Sequence, residues 1–394
     1  MKPKILVVGD AVATTGFARV IRCIFEQLIS EYEIHQLGVS YMGDPHDYLW
    51  PLYPASSRGD LFGVSRINDL VHNIKPDLIF LLNDIWLVGD YLDALDEANL
   101  KSAQVIAYCP IEANGIGASA LSKLSKLKRL ILYTQFGKNE VAKTFLKSGY
   151  DAENLDDFLA VIPHGLDTEE FFPLSDTNDR AEIRRQLFGE ENENFIVFNG
   201  NRNQPRKRID ATIKGFSLFS QNKPDSVKLY LHMGIKDLGW DVIELCKRFD
   251  IQDRLILTSN QPGLPSVSTD QLNLIYNACD VGVNTSSAEG WGLVSFEHAA
   301  TRRPQIVPNH SSCAELWEGS GLLLEPRHSV ISHGTLVEEK FVSANDLCIA
   351  LETLYEDVDK RIELGNAAYA NATKSEYSWV NVAKQWRKLF NTIL

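Results

Sequence analysis

Ser287-Ala288-Glu289-Gly290-Trp291-Gly292-Leu293-Val294-Ser295-Phe296-Glu297 sets two carboxylates eight residues apart, with a glycine on either side of Trp291. It follows an apolar run, Ala278-Cys279-Asp280-Val281-Gly282-Val283-Asn284, that reads as a buried parallel strand, and it leads into a helical pattern from Leu293 to Ala300. The predicted order is strand, tight loop, helix. Gly290 and Gly292 allow backbone amides close to a ligand. A helix start offers unpaired N–H groups and partial positive charge suited to a diphosphate. In this reading Glu289 stands in the loop beside the ligand. Glu297, more than a turn into the helix, accepts hydrogen bonds from sugar hydroxyls. Taken alone, the pair reads equally well as a helix with an acidic first turn.

A second motif lies upstream in Phe195-Ile196-Val197-Phe198-Asn199-Gly200-Asn201-Arg202-Asn203-Gln204-Pro205-Arg206-Lys207-Arg208-Ile209-Asp210. A short apolar strand ends at Asn199-Gly200, a turn carries Arg202 and Lys207, and an amphipathic helix is predicted from Asp210 to Phe219. Two cations at the carboxyl end of a strand, at a βα crossover, are placed to hold a diphosphate. The cluster by itself also fits a solvated basic turn, and Arg206 and Arg208 are expected to be solvated.

Length and composition fit a two-domain α/β protein. The chain has 394 residues, more than one typical domain, and 44% of them are hydrophobic, enough for two packed cores. Strand patterns alternate with helical ones, which argues for parallel sheets. The six cysteines are scattered without a C-x-x-C pair and read as reduced core residues of a cytoplasmic protein. A net charge of −13 disfavours a nucleic-acid partner or a general anionic-membrane surface. The apolar run at the N-terminus is too short for a signal peptide, and no stretch of about 18 apolar residues suggests a membrane span. Lys123, Lys126, Lys128 and Arg129 form one basic stretch, open to peripheral membrane contact or to a solvated helix face. No histidine spacing suggests a metal site. Asp10 and Asp280 are expected to be structural.

Several motifs, taken in order, resemble the retaining GT-B glycosyltransferases of family 4, which includes glycogen synthases, sucrose synthases and bacterial mannosyltransferases. Asn199-Gly200-Asn201-Arg202 with Lys207 resembles the family's G-R-x4-K segment, and Glu289 to Glu297 its E-x7-E signature. Leu229 to Gly234, Leu274 to Asp280, Pro304 to Val307, Ala314 to Trp317 and Gly321 to Pro326 resemble the surrounding strands and helices. In the N-terminal half, Lys4 to Asp10 reads as a first strand. Gly16, before a helix predicted from Phe17 to Ile29, resembles the family's glycine loop, whose backbone approaches the donor phosphate and the acceptor. Ile162-Pro163-His164-Gly165-Leu166-Asp167 resembles the segment that crosses into the second domain, making His164 a crossover residue rather than a base.

The resemblance implies two Rossmann-like doubly wound domains, an acceptor-binding one at residues 1–175 and a nucleotide-sugar-binding one at 176–374, with a helix at 375–394 packing back on the first and Trp379 as its packing anchor. An active site is expected in the cleft between them. The implied activity is metal-independent transfer of a sugar from a nucleoside-diphosphate donor to an acceptor hydroxyl, with retention and without a cofactor. Arg202, Lys207, Glu289 and Glu112 are the expected catalytic residues. Gly16, Gly290, Trp291, Gly292, Leu293 and Glu297 are expected to bind the donor. Three departures stand out. Glu112, with Asn114 behind it, follows the strand where many relatives carry a sugar-contacting histidine. Arg208 and Arg302 occupy positions that are usually glycine. A nucleotide-sugar epimerase or hydrolase, or a non-catalytic nucleotide-sugar-binding protein, remains open on the same residues. The acceptor (a glycan, lipid-linked glycan, protein or small molecule) is not legible.

Overall fold

The computed structural model describes residues 2–56, 59–174, 177–189, 195–263 and 265–394, the side chains of 177–179 excepted. By Cα packing they form two units. The first holds the chain up to Gly165 with Ser332–Val337 and Ser375–Leu394; the second holds Leu166–Ile331 and Glu338–Lys374. The boundary expected at 175/176 lies outside the described residues. Just before it, Phe172 N and Leu174 N donate to the side-chain oxygens of Asn273 (3.2 Å) and Asn277 (3.0 Å), which ties this stretch to the second unit.

The first unit is built on β1 (Lys4–Asp10), β2 (Glu33–Val39), β3 (Leu52–Pro54), β4 (Leu78–Leu82), β5 (Gln104–Cys109), β6 (Arg129–Leu132) and β7 (Leu159–Val161). They pair in parallel in the order β3-β2-β1-β4-β5-β6-β7, so the winding reverses between β1 and β4. The run Leu78–Leu82 is apolar throughout because both of its faces are covered. Ile79 and Leu81 pack with Leu70, Val71, Leu87 and Val88, whereas Phe80 meets Phe25 and Trp386 at centroid distances of 5.1 and 5.0 Å. Trp386 belongs to the last helix, Trp379–Ile393, whose Arg387 also grips Glu31 with two hydrogen bonds of 2.7 and 2.5 Å. At the start of that helix Trp379 lies on Gly165, where a Cβ would come within 2.4 Å of its ring.

The second unit repeats the winding with β8 (Phe195–Asn199), β9 (Val227–Leu231), β10 (Leu255–Leu257), β11 (Val281–Val283), β12 (Gln305–Pro308) and β13 (Leu322–Leu324). The parallel order is β10-β9-β8-β11-β12-β13, reversing between β8 and β11. Beyond β13, where the sequence reading closes the domain at Pro326, stands an antiparallel hairpin of β14 (Pro326–Ile331) and β15 (Glu338–Val342).

Strand β11 is shorter than the apolar run suggested, because Ala278 ends a helix and Asp280 turns its side chain to another task. The Asp280 carboxylate is buried and accepts from Arg180 (2.6 Å), Arg184 (2.6 Å) and the Ile196 amide (2.8 Å), pinning β8, β11 and the helix Thr177–Phe188 together. Burial alone would raise its pKa, but the two guanidinium charges and the amide override burial and hold it at about 2. A depressed carboxylate pKa stabilises the fold above the unfolded-state value of about 4, and that contribution fades as pH falls through the folded value. Asp280→Asn is expected to cost the second unit about 3–5 kcal/mol at neutral pH, since two arginine charges lose the carboxylate that balances them. Urea unfolding at pH 7 and again near pH 3 measures both the loss and its expected shrinkage in acid.

Candidate functional site

The loops that leave β8 and β11 flank the reversal point of the second unit, the place where open α/β sheets present ligand-binding loops. A buried polar network joins them. Asn199, the last residue of β8, donates to the Thr212 hydroxyl (2.9 Å) and accepts from the Asn201 amide (2.9 Å). Thr212 meets Thr285 at 2.8 Å, and Thr285 reaches the carbonyls of Lys207 (3.2 Å) and Arg208 (2.9 Å). From the other loop, the Ser287 amide donates to the Arg206 carbonyl (2.8 Å). The hairpin closes the same loop, since the Lys340 amide donates to the Ser287 carbonyl (3.0 Å) and the Ser287 hydroxyl to Glu339 (2.5 Å).

Within this frame Lys207 and Glu289 form a direct ion pair, both side chains buried. Asn284 and Ser286 also donate to Glu289, each at 3.3 Å, and Arg206 stands 3.7 Å from its second oxygen. Burial pushes the Glu289 pKa up, but Lys207 and Arg206 more than reverse this and hold it at about 2. Glu289 is therefore a carboxylate throughout the neutral range. Ser312, at the start of the helix Ser311–Trp317, donates to its backbone carbonyl.

The remaining candidates are held separately. Arg202 is half exposed and forks onto Asp237 (2.7 and 3.3 Å). Glu297, buried in the helix Leu293–Ala299, accepts from the Tyr276 hydroxyl at 2.7 Å. Gly292 caps that helix with φ of +90°, a conformation only glycine adopts without strain, and Leu293 is its first residue. Gly290 is buried, and the Trp291 ring stacks on Phe296 at 4.9 Å.

Two expectations about neighbouring cations need correction. Arg206 is not simply solvated, because it donates to the Ala288 carbonyl at 2.7 Å. Arg208 is not either: it forks onto Asp210 (2.9 and 2.7 Å) and lies over the Phe341 ring at 4.7 Å.

In the first unit, Gly16 opens the helix Gly16–Glu26 behind Thr15, whose hydroxyl accepts from Ala18 N (3.2 Å) and donates to Asp10 (2.7 Å). Glu112 is half-buried in the loop after β5, between the buried side chains of Ile111 and Ala113. His164 is buried at 2.8 Å from the Tyr108 hydroxyl, and burial pulls its pKa down to about 3, so it stays neutral. The basic stretch is not one helix face, since Lys123–Lys126 is a 3-10 turn and Arg129 begins β6. Asp90 and Asp93 pair with Lys123 (3.3 and 2.7 Å), and Asp93 also with Lys126 (3.1 Å). Among the described residues no helix is long and apolar enough to cross a membrane.

No family model matches the chain. It is 28% identical over 157 residues to the mannosylfructose-phosphate synthase of Agrobacterium fabrum, covering 38% of this chain and 32% of that protein. It is 26% identical over 258 residues to the D-inositol 3-phosphate glycosyltransferase of Pseudarthrobacter chlorophenolicus, covering 64% and 53%. The chain thus spans between about a third and about half the length of these curated relatives. Among solved structures, Anabaena HepE in complex with UDP and glucose aligns over 100% of both chains with a TM-score of 0.71, at 17% identity. The fold is GT-B.

Within this GT-B chain, the structure adds residues that sequence reasoning passed over. Asn284, Ser286 and Ser312 complete the surroundings of Glu289, Tyr276 orients Glu297, and Asp237 holds Arg202. Asn284 and Ser286 were within reach of a sequence signal, as polar residues between a buried strand and the first glutamate. The others lie 21 to 35 residues from the groups they hold, and no local pattern points to them. Lys207→Met alone is expected to destabilise by about 3–5 kcal/mol, because Glu289 keeps its buried charge. Adding Glu289→Gln should recover most of that loss. Chemical denaturation of the two single variants and the double variant closes the cycle.

Proposed function

We propose that this chain is a glycosyltransferase that moves a sugar from a nucleoside-diphosphate donor to an acceptor hydroxyl, with retention and without a divalent cation. The observation that carries the reading is the Arg206–Lys207–Glu289 cluster on the two loops flanking the reversal point of the second unit. Both relatives carry transferase or synthase names that join sugars, and the Anabaena neighbour holds UDP and glucose. These similarities support the same direction.

In this mechanism Arg206 and Lys207, set against Glu289, leave one net positive charge beside the loops. Together with Arg202 they stabilise the diphosphate as it leaves, the moment at which fixed charge lowers the barrier. Counter-charge from side chains is the reason a metal ion is not required. Glu289 remains ionised and is a poor proton acceptor, so its role is to accept hydrogen bonds from the sugar hydroxyls, with the backbone of Gly290, Trp291, Gly292 and Leu293. Glu297, oriented by Tyr276, accepts from the ribose. Positive charge develops at the anomeric carbon. The attacking hydroxyl approaches on the face the phosphate leaves, and a phosphate oxygen takes its proton. In the first unit, the backbone at Gly16 and the Glu112 carboxylate are the candidates for substrate contact.

The first test is thermal stabilisation in EDTA with a panel of UDP-, GDP- and ADP-sugars. One donor is expected to raise the unfolding temperature selectively, and Glu297→Ala should abolish the rise. Lys207→Ala is expected to reduce turnover roughly 10²–10³-fold, and unchanged turnover would remove Lys207 from the leaving-group assignment. Donor consumption at full rate with no acceptor present would favour an epimerase or hydrolase instead.

A further inference from the structure

The hairpin of β14 and β15 does more than hold Ser287. Its second strand, the turn after β8 and the loop after β9 frame an open cavity of about 500 Å³, a volume typical of small-molecule sites. Every residue of the lining lies in the second unit. Arg202, Lys207, Glu289, Glu297 and the loop from Gly290 to Gly292 are not part of it. The cavity is therefore separate from the cluster proposed to act on the diphosphate, and of that cluster Arg206 alone borders both. The apolar walls are Leu238, Trp240 and Phe341. The Phe341 ring already stacks on His328 (5.0 Å) and lies under Arg208 (4.7 Å). Trp240 differs: it is half-buried against the core, and its ring has no aromatic or cationic partner among the described residues. Its backbone is fastened, because Trp240 N donates to the Asn203 side-chain oxygen (2.9 Å) and its carbonyl accepts from the Asn203 side-chain amide (2.7 Å). At Gly239, beside it, a Cβ would come within 2.2 Å of Asn203. The loop thus presents an aromatic ring to the cavity from a fixed backbone.

Polar groups stand on both sides of that ring. Strand alternation puts Glu339 on the same face of β15 as Phe341, and its carboxylate accepts from the Ser287 hydroxyl with one oxygen. From the turn after β8, Arg208 spends Nε and Nη2 on Asp210, and its Nη1 group has no partner among the described residues. Gln204 is bonded there only through its backbone, to Arg202 and Lys207. The charges around the cavity cancel, with Arg206, Lys207 and Arg208 set against Glu289, Asp210 and Glu339. A phosphate finds no unbalanced cation here, and a wholly apolar ligand leaves the polar groups unused. Donors and acceptors around an aromatic face suit a ring with C–H groups on its faces and hydroxyls at its edge, because each hydroxyl both donates and accepts. A pyranose has that form.

We propose that this cavity is a second saccharide site, in which a neutral sugar ring lies on Trp240 with its hydroxyls on Gln204, Arg208 and Glu339. The inference rests on the lining of the cavity and not on the glycosyltransferase reading. Saturation-transfer NMR on the full chain tests it with glucose, mannose and sucrose, against glucose 6-phosphate and uridine. At least one neutral sugar is expected to take more saturation than either control, most strongly at the C–H protons of one ring face. Trp240→Leu should abolish that signal. Glu297→Ala, which alters the other site, should leave it unchanged. Gln204→Ala should weaken the sugar's Kd roughly fivefold, the loss of one neutral hydrogen bond, at an unchanged unfolding temperature.

No saturation of any neutral sugar would overturn the proposal. Stronger saturation of glucose 6-phosphate or of uridine would do the same, giving the cavity to an anion or a base. So would a signal that survives in folded Trp240→Leu, or one that is lost in Glu297→Ala, since the sugar would then lie in the transfer site. The Asn203 bonds are to the Trp240 backbone, so Trp240→Leu keeps them. Should that variant fail to fold, Gln204→Ala decides, and an unchanged Kd there removes the site. Thermal stabilisation by UDP-, GDP- and ADP-sugars in the same preparation keeps the two readings apart. Its absence counts against the glycosyltransferase reading, while the sugar signal still decides the cavity.

Discussion

Two opposite charges buried in contact constrain everything around them, and in this chain they are Lys207 and Glu289. Either one alone in that position would carry a large desolvation cost, so the loops that bear them must meet. They come from positions 82 residues apart, and only the adjacency of β8 and β11 makes the meeting short. The surrounding hydrogen bonds follow from it. Thr212 and Thr285 close the floor, Asn284 and Ser286 occupy the carboxylate, and Arg206 ties its own loop to Ala288 while remaining near Glu289. The hairpin then holds the loop from outside through Ser287.

Such pairings mark the limit of what could be read from residues alone. Strand β1 was legible to the residue, Lys4 to Asp10, because a continuous apolar run covered on both faces has no competing period. The signs of charge in the two loops were legible too. Their partners were not, because Arg202 finds Asp237 at a separation of 35 residues and Asp280 finds Arg180 and Arg184 at 100 and 96. The structural role expected of Asp280 is what the fold shows, but its distant arginines left no local sign that β11 would begin only at Val281. The same lack made Arg206 and Arg208 look solvated, since a carbonyl and an aromatic ring on a later hairpin leave no local trace. Strands β14 and β15 are mostly part-exposed or exposed and lack a continuous apolar run, so they carried no strand signal.

Arg208 and Arg302, where the resemblance led one to expect glycine, share one backbone feature. Arg208 has φ of +50° and Arg302 +63°, the left-handed region where a side chain costs roughly 1–2 kcal/mol. Each side chain then returns something glycine lacks. Arg208 binds Asp210 and covers Phe341 of the hairpin, and Arg302 covers Tyr369 at 4.3 Å and donates to Asn366 at 3.2 Å. At both positions this chain has a strained turn fastened at its far end. For Arg208 that fastening joins the loop of Lys207 to the hairpin that holds Ser287.

This stiffness bears on how the cluster would act. Because Glu289 stays ionised far below neutral pH, nothing at Lys207 waits on a proton. In the proposed reaction, a diphosphate arriving beside the loops would bring negative charge that competes for the same ammonium and for Arg206. Asn284 and Ser286 remain on the carboxylate as Lys207 shares its donors, so Glu289 need not be left bare. The exchange is one of hydrogen bonds between fixed groups, with little reorganisation at the moment charge moves to the leaving group. Preorganised charge of this kind lowers a barrier where mobile charge would spend the gain on being ordered.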